Sequence, residues 1–73
     1  MTPDDFLSFR QVMGVKLNGA PKLLSERRTA EILGATRHQV RAWSNRDPPP
    51  LYIGYACQAI VHNFQPWSLE NAQ

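Results

Sequence analysis

A chain of 73 residues has room for one domain, and a core of that size is marginal unless its helices pack well or two copies associate. No apolar run approaches the ~18–20 residues that span a bilayer, and the start of the chain lacks the pattern of a signal peptide, so a cytoplasmic protein with no membrane partner is expected. The net charge is only +2, yet residues 10–46 hold all eight Lys and Arg against Glu26 and Glu31 alone, a local +6 that suits a polyanion-binding surface and not an acidic partner.

Thr2-Pro3-Asp4-Asp5 predicts a helix start, with Thr2 as N-cap, Pro3 in the first helical position and two acids against the positive end of the dipole. This helix is expected to run to about Met13 and stop at Gly14, with Phe6, Phe9 and Met13 along one face toward the core. Val15 to Leu24 contains the turn signals Asn18-Gly19 and Pro21 and reads as a long connection whose Lys16 and Lys22 reach toward a phosphate. Ser25 predicts the N-cap of a second helix. That cap is half built, because Arg28 stands where a capping box has Glu or Gln.

The second and third helices are hinged at Gly34. Two helices meeting at about 90–120° need a small residue near the middle of the first and one tolerant of φ > 0 at the turn, and Ala30 and Gly34 meet both demands. Thr36 caps the third helix, which ends near Ser44 to Arg46. Ile32, Leu33, Ala35, Val40 and Trp43 supply an apolar edge, while Arg37, His38 and Arg41 project from the other side. Asp47-Pro48-Pro49-Pro50 breaks the chain, and a fourth helix is expected from about Pro50 to Asn63 with Ile53, Ala56, Cys57 and Ile60 facing inward. Tyr52, Tyr55 and Ala59 form an adjacent flank that, with Phe64 and Trp67 beyond the helix, is the candidate dimer surface. Residues 68–73 read as a flexible tail to a single domain over 1–67. The lone Cys57 has no disulfide partner, and with His38 and His62 it makes no zinc-ligand spacing, so it reads as a small buried hydrophobe.

In order and spacing these features resemble the Cro/CI-type (XRE) helix-turn-helix repressors of phages and mobile elements. The likeness rests on Thr2 to Phe6 with Arg10 and Gly14, on Thr29 to Arg37 through the turn, on Val40 and Trp43, and on Pro49 to Ile53. It implies an all-α, compact four- to five-helix lambda-repressor-like DNA-binding domain. The implied function is sequence-specific binding of double-stranded DNA, as a transcriptional repressor acting as a homodimer on a pseudo-palindromic operator. Within the resemblance Thr36, Arg37, His38, Arg41 and Ala42 would face base edges, and Ser25, Arg27, Arg46, Lys22 and Arg10 would hold phosphates. Where the family often places a Glu after the tryptophan to pair with the first-helix arginine, this chain has Ser44, which would free Arg10 for a phosphate. Glu26 reads as complementing the helix dipole.

Two other readings stay open. Leu23 through Trp43 followed by Pro-Pro-Pro-Leu-Tyr-Ile-Gly also resembles an excisionase-like or MerR-like winged DNA-binding module, in which the segment after the prolines is a β-wing. A protein-binding antiactivator with a vestigial helix-turn-helix is the third. No nucleophile–base pair, carboxylate dyad or phosphate-cradling glycine loop points to an enzyme, and no cofactor, metal or small-molecule ligand is expected.

Overall fold

Four helices account for the regular structure of the described residues, 1–66 and Ser68, in the computed structural model: α1 Pro3–Asn18, α2 Glu26–Leu33, α3 Arg37–Asn45 and α4 Leu51–Val61. The β-wing of the alternative reading is replaced by α4, and no strand occurs among the described residues. No helix among them is long and apolar enough to cross a membrane.

The starts of α1, α2 and α3 follow from local chemistry. Thr2 accepts from the Asp5 amide at 3.1 Å while its own amide donates to Asp5 Oδ2 at 2.9 Å, a reciprocal cap that holds the Asp5 carboxyl below its usual range. Ser25 accepts from the Arg28 amide with no return bond, as the missing Glu or Gln implies. At α3 Thr36 and Gln39 form a full capping box, its two bonds both 3.0 Å. The fourth helix begins after Pro50 without a side-chain cap and ends at Val61, two residues short of the expected Asn63, which takes the left-handed φ of 61°.

The expected stop at Gly14 is wrong. Helix α1 continues another turn to Asn18 and is closed by Gly19 in the left-handed conformation, φ 70°, whose amide donates to Val15 O. Gly14 serves a different purpose: the chain returning from Gly19 to Ser25 lies directly against it, and a Cβ there would overlap the Lys22 carbonyl oxygen. The long connection is correspondingly shorter than expected. Leu24 locks it to α1, donating its amide to Arg10 O at 3.0 Å and burying its side chain.

The core is Phe6, Phe9, Met13, Leu24, Ala30, Val40, Trp43, Ile53 and Cys57, so every helix and the connection contribute. Helix α1 packs on α3 and α4, and α2 on the same two. Phe6 meets the edge of Trp43 at 5.7 Å between ring centres and 80° between planes, a favourable geometry for aromatic quadrupoles. Full burial of Phe6 and Val40 is worth about 1.5–3 kcal/mol each, and α3 is held by packing against both α1 and α2. Burial pushes the Cys57 thiol up to about 11, so it stays protonated and behaves as the expected hydrophobe.

Candidate nucleic-acid interface

Helix α3 is nine residues long, and its period divides it cleanly. Val40, Trp43 and Ser44 are buried; Arg37, His38, Arg41 and Asn45 are exposed; Ala42 is half-buried. His38, Arg41, Ala42, Asn45 and Arg46 line an open groove of about 290 Å³, which brings three of the expected base-facing residues beside one expected phosphate contact. Thr36 sits at the head of the same helix with its hydroxyl oxygen accepting from the Gln39 amide, which leaves its methyl and its hydroxyl proton to offer a partner.

The start of α2 borders this face. Glu26, the first residue of α2, accepts from Arg41 on α3 through both carboxylate oxygens, Oε1 to Nη2 at 2.9 Å and Oε2 to Nε at 3.2 Å. The Arg41 bonds hold the Glu26 carboxyl below its usual range, with Arg41, Arg10 and Arg37 adding to the field, and Arg41 is raised in return. Glu26 therefore does more than complement a dipole. It fastens the amide-bearing end of α2 beside the outward face of α3, a link between residues 15 positions apart that no local pattern announces.

On the flank of α2, Lys22, Ser25, Arg27 and Arg28 line a polar depression of about 410 Å³ that also includes Asn18 and Glu31. Three of the expected phosphate contacts thus share one recess, at a helix N-terminus whose free amides and dipole favour anions. Arg27 is paired with Glu31 at 3.3 Å, but both are exposed. Arg28 joins this group, although the sequence marked it only as a broken capping box; a third cation one position from Arg27 was the available signal. Arg46 stands at the end of α3 in an exposed 3.3 Å pair with Asp47, a contact of the kind that exchanges readily for another anion.

Arg10 is not at this surface. Only 5% exposed, it lies within the core and donates Nε and Nη2 to Leu24 O at 2.9 and 2.7 Å and Nη1 to Ser44 Oγ at 2.9 Å. The serine that was expected to release Arg10 is instead its neutral partner, itself donating to Val40 O. Burial lowers the Arg10 pKa, but a guanidinium keeps its proton inside proteins, so a cation stays in the core, paired with dipoles. Lys16 donates to Val61 O at the end of α4, where the helix dipole favours a cation.

The expected dimer surface is divided by the structure. Tyr52, Tyr55 and Phe64 are 66–70% exposed, joined by Leu51 at 71%, while Ala59 is half-buried and Trp67 lies outside the described residues. The aromatics of α4 do not fold back onto their own core. No protein-family model, curated protein or solved structure matches the chain.

Proposed function

We propose that this chain is a sequence-specific double-stranded DNA-binding protein, a transcriptional repressor in which α2 and α3 act as the helix-turn-helix of a lambda-repressor-like domain. The observation that carries the reading is the Glu26–Arg41 bridge. It joins a helix N-terminus flanked by Lys22, Arg27 and Arg28 to an exposed helix face bearing Arg37, His38 and Arg41. DNA readers of this class need that juxtaposition, because phosphate contacts set the register from which neighbouring side chains reach base edges. The hinge agrees with the reading: Gly34 is left-handed at φ 67°, and Ala30, 5% exposed, lets the two helices approach.

Roles follow from position. Arg37 and His38, in the first turn of α3, enter the major groove; Arg41 and Ala42 follow one turn on, and the Thr36 methyl meets a thymine. Ser25, Lys22, Arg27, Arg28 and Arg46 hold phosphates. A single α3 specifies about 4 base pairs, too few to find one operator, so the chain acts as a twofold homodimer on half-sites about 34 Å apart. The exposed Leu51, Tyr52, Tyr55 and Phe64 supply apolar area to offset the entropy of association.

Selection from a random duplex pool tests this reading. The enriched site should be a pseudo-palindrome, bound by the wild type far more tightly than random duplex. A failure to enrich any sequence, with no salt-dependent shift of any duplex, would instead support the protein-binding antiactivator.

A further inference from the structure

The two bonds that Glu26 makes to Arg41 occupy one particular edge of the guanidinium, the Nε/Nη2 side. The adjoining end-on edge, with one hydrogen on Nη1 and the second hydrogen on Nη2, meets no partner among the described residues, and the Arg41 side chain is 63% exposed against 26% for Glu26. A long arginine side chain ordinarily samples many rotamers on a surface. Here a carboxylate anchored on the first turn of a neighbouring helix fixes its plane and direction.

Resting on the DNA-binding reading above, we propose that Glu26 is a positioning residue that locks Arg41 so that its end-on edge reads the O6 and N7 of a guanine in the major groove. The chemistry fits that acceptor pair. A planar fork with two parallel N–H groups matches two acceptors on a rigid purine edge, and prior immobilisation leaves less rotamer freedom to lose on binding. Glu26 also penalises the competing use of Arg41. A carboxylate beside the guanidinium repels a phosphate and cancels the charge that would attract one, so the pair favours a neutral, directional partner over the DNA backbone. A lone Arg41 would serve either role, whereas the bridged Arg41 is biased toward the base.

The experiment compares wild type, Glu26→Gln, Arg41→Lys and the double variant. The probes are the enriched duplex, the same duplex with single guanines replaced by 7-deazaguanine, and a random duplex. Wild type should lose about tenfold in affinity at one guanine position, and Arg41→Lys should abolish that sensitivity. Glu26→Gln should reduce it to threefold or less while binding random duplex more tightly, with a slope of log K against log salt steeper by about one. In the free protein, the Arg41 Nε proton should exchange slowly by NMR in wild type and fast in Glu26→Gln, a change that a general loss of stability would not confine to one side chain. Full guanine sensitivity in Glu26→Gln, or a wild type that binds the enriched site tightly with no Arg41-dependent guanine, overturns the inference and leaves the DNA-binding reading standing. A wild type that binds no duplex overturns both.

Discussion

Replacing Gly14 with alanine should unfold or nearly unfold this protein, although alanine is the better helix former. In the middle of α1 the exchange gains about 1 kcal/mol of helix propensity. The new Cβ, however, overlaps the Lys22 carbonyl oxygen and lies 2.8 Å from the Lys22 carbonyl carbon and 3.1 Å from the Leu24 amide nitrogen, all backbone atoms that cannot rotate away. The returning segment must shift, and Leu24 is where it is fastened. Its amide bond to Arg10 O and the two bonds from the Arg10 guanidinium to Leu24 O go with it, leaving a buried cation short of partners. Each of the two bonds from the charged guanidinium is worth about 1.5–3 kcal/mol and the neutral bond about 1, so after the propensity gain the net loss is about 3–6 kcal/mol, much of the stability a domain of this size has. Gly54→Ala is the matched control: the same exchange within α4 meets only the Met1 Cβ at 3.8 Å and should stabilise by up to about 1 kcal/mol. Urea unfolding followed by circular dichroism reads both. If Gly14→Ala is as stable as Gly54→Ala, the packing of residues 22–24 against α1 is wrong.

Ser44→Ala should cost about 1–3 kcal/mol in the same assay, because it strips Arg10 Nη1 of its acceptor inside the core; a neutral result would mean that Arg10 finds water instead. Asp5 and Glu26 both have carboxyl pKa values lowered by folding, so their contribution is present above the ordinary values of 3.8 and 4.5 and is lost as pH falls through the folded ones. Stability should therefore fall below about pH 4.5, and Glu26→Gln should flatten that fall; an unchanged acid limb would contradict the bridge. On the enriched duplex, Arg37→Ala should cost ~1–3 kcal/mol with little effect on random duplex, whereas Arg46→Ala should weaken both alike with a shallower salt slope. A changed sequence preference in Arg46→Ala would move that residue to the bases.

Much of the frame was legible because it depends on neighbours in sequence. Thr2, Ser25 and Thr36 cap bonds to residues three positions on, Gly34 closes a turn, and the inward stripes of α1, α3 and α4 obey the helical period. The errors fall where the outcome depends on what arrives from elsewhere. A glycine that ends a helix and one that admits a crossing segment look alike locally, so Gly14 was given the role that Gly19 performs. Arg10 was read by its charge, yet it lies four residues after Phe6 and three before Met13, on the buried face, and that period was the signal that it turns inward. The Glu26–Arg41 bridge joins two helices and had no such signal. The outward face of α3 was read correctly for exposure, since Val40 and Trp43 fix which side packs.

The most direct measurement is an NMR titration of the labelled protein with a short random duplex at low salt, then with the enriched duplex. The reading predicts amide shifts concentrated at residues 22–28 and 36–46, screened out as salt rises for the random duplex and persisting for the enriched one. Arg10 and the inner faces of α1 and α4 should stay unmoved. Shifts confined to residues 51–64, or no shift at protein and duplex concentrations near 100 μM, where even non-specific complexes with dissociation constants of about 10⁻⁴–10⁻⁶ M form, would contradict it.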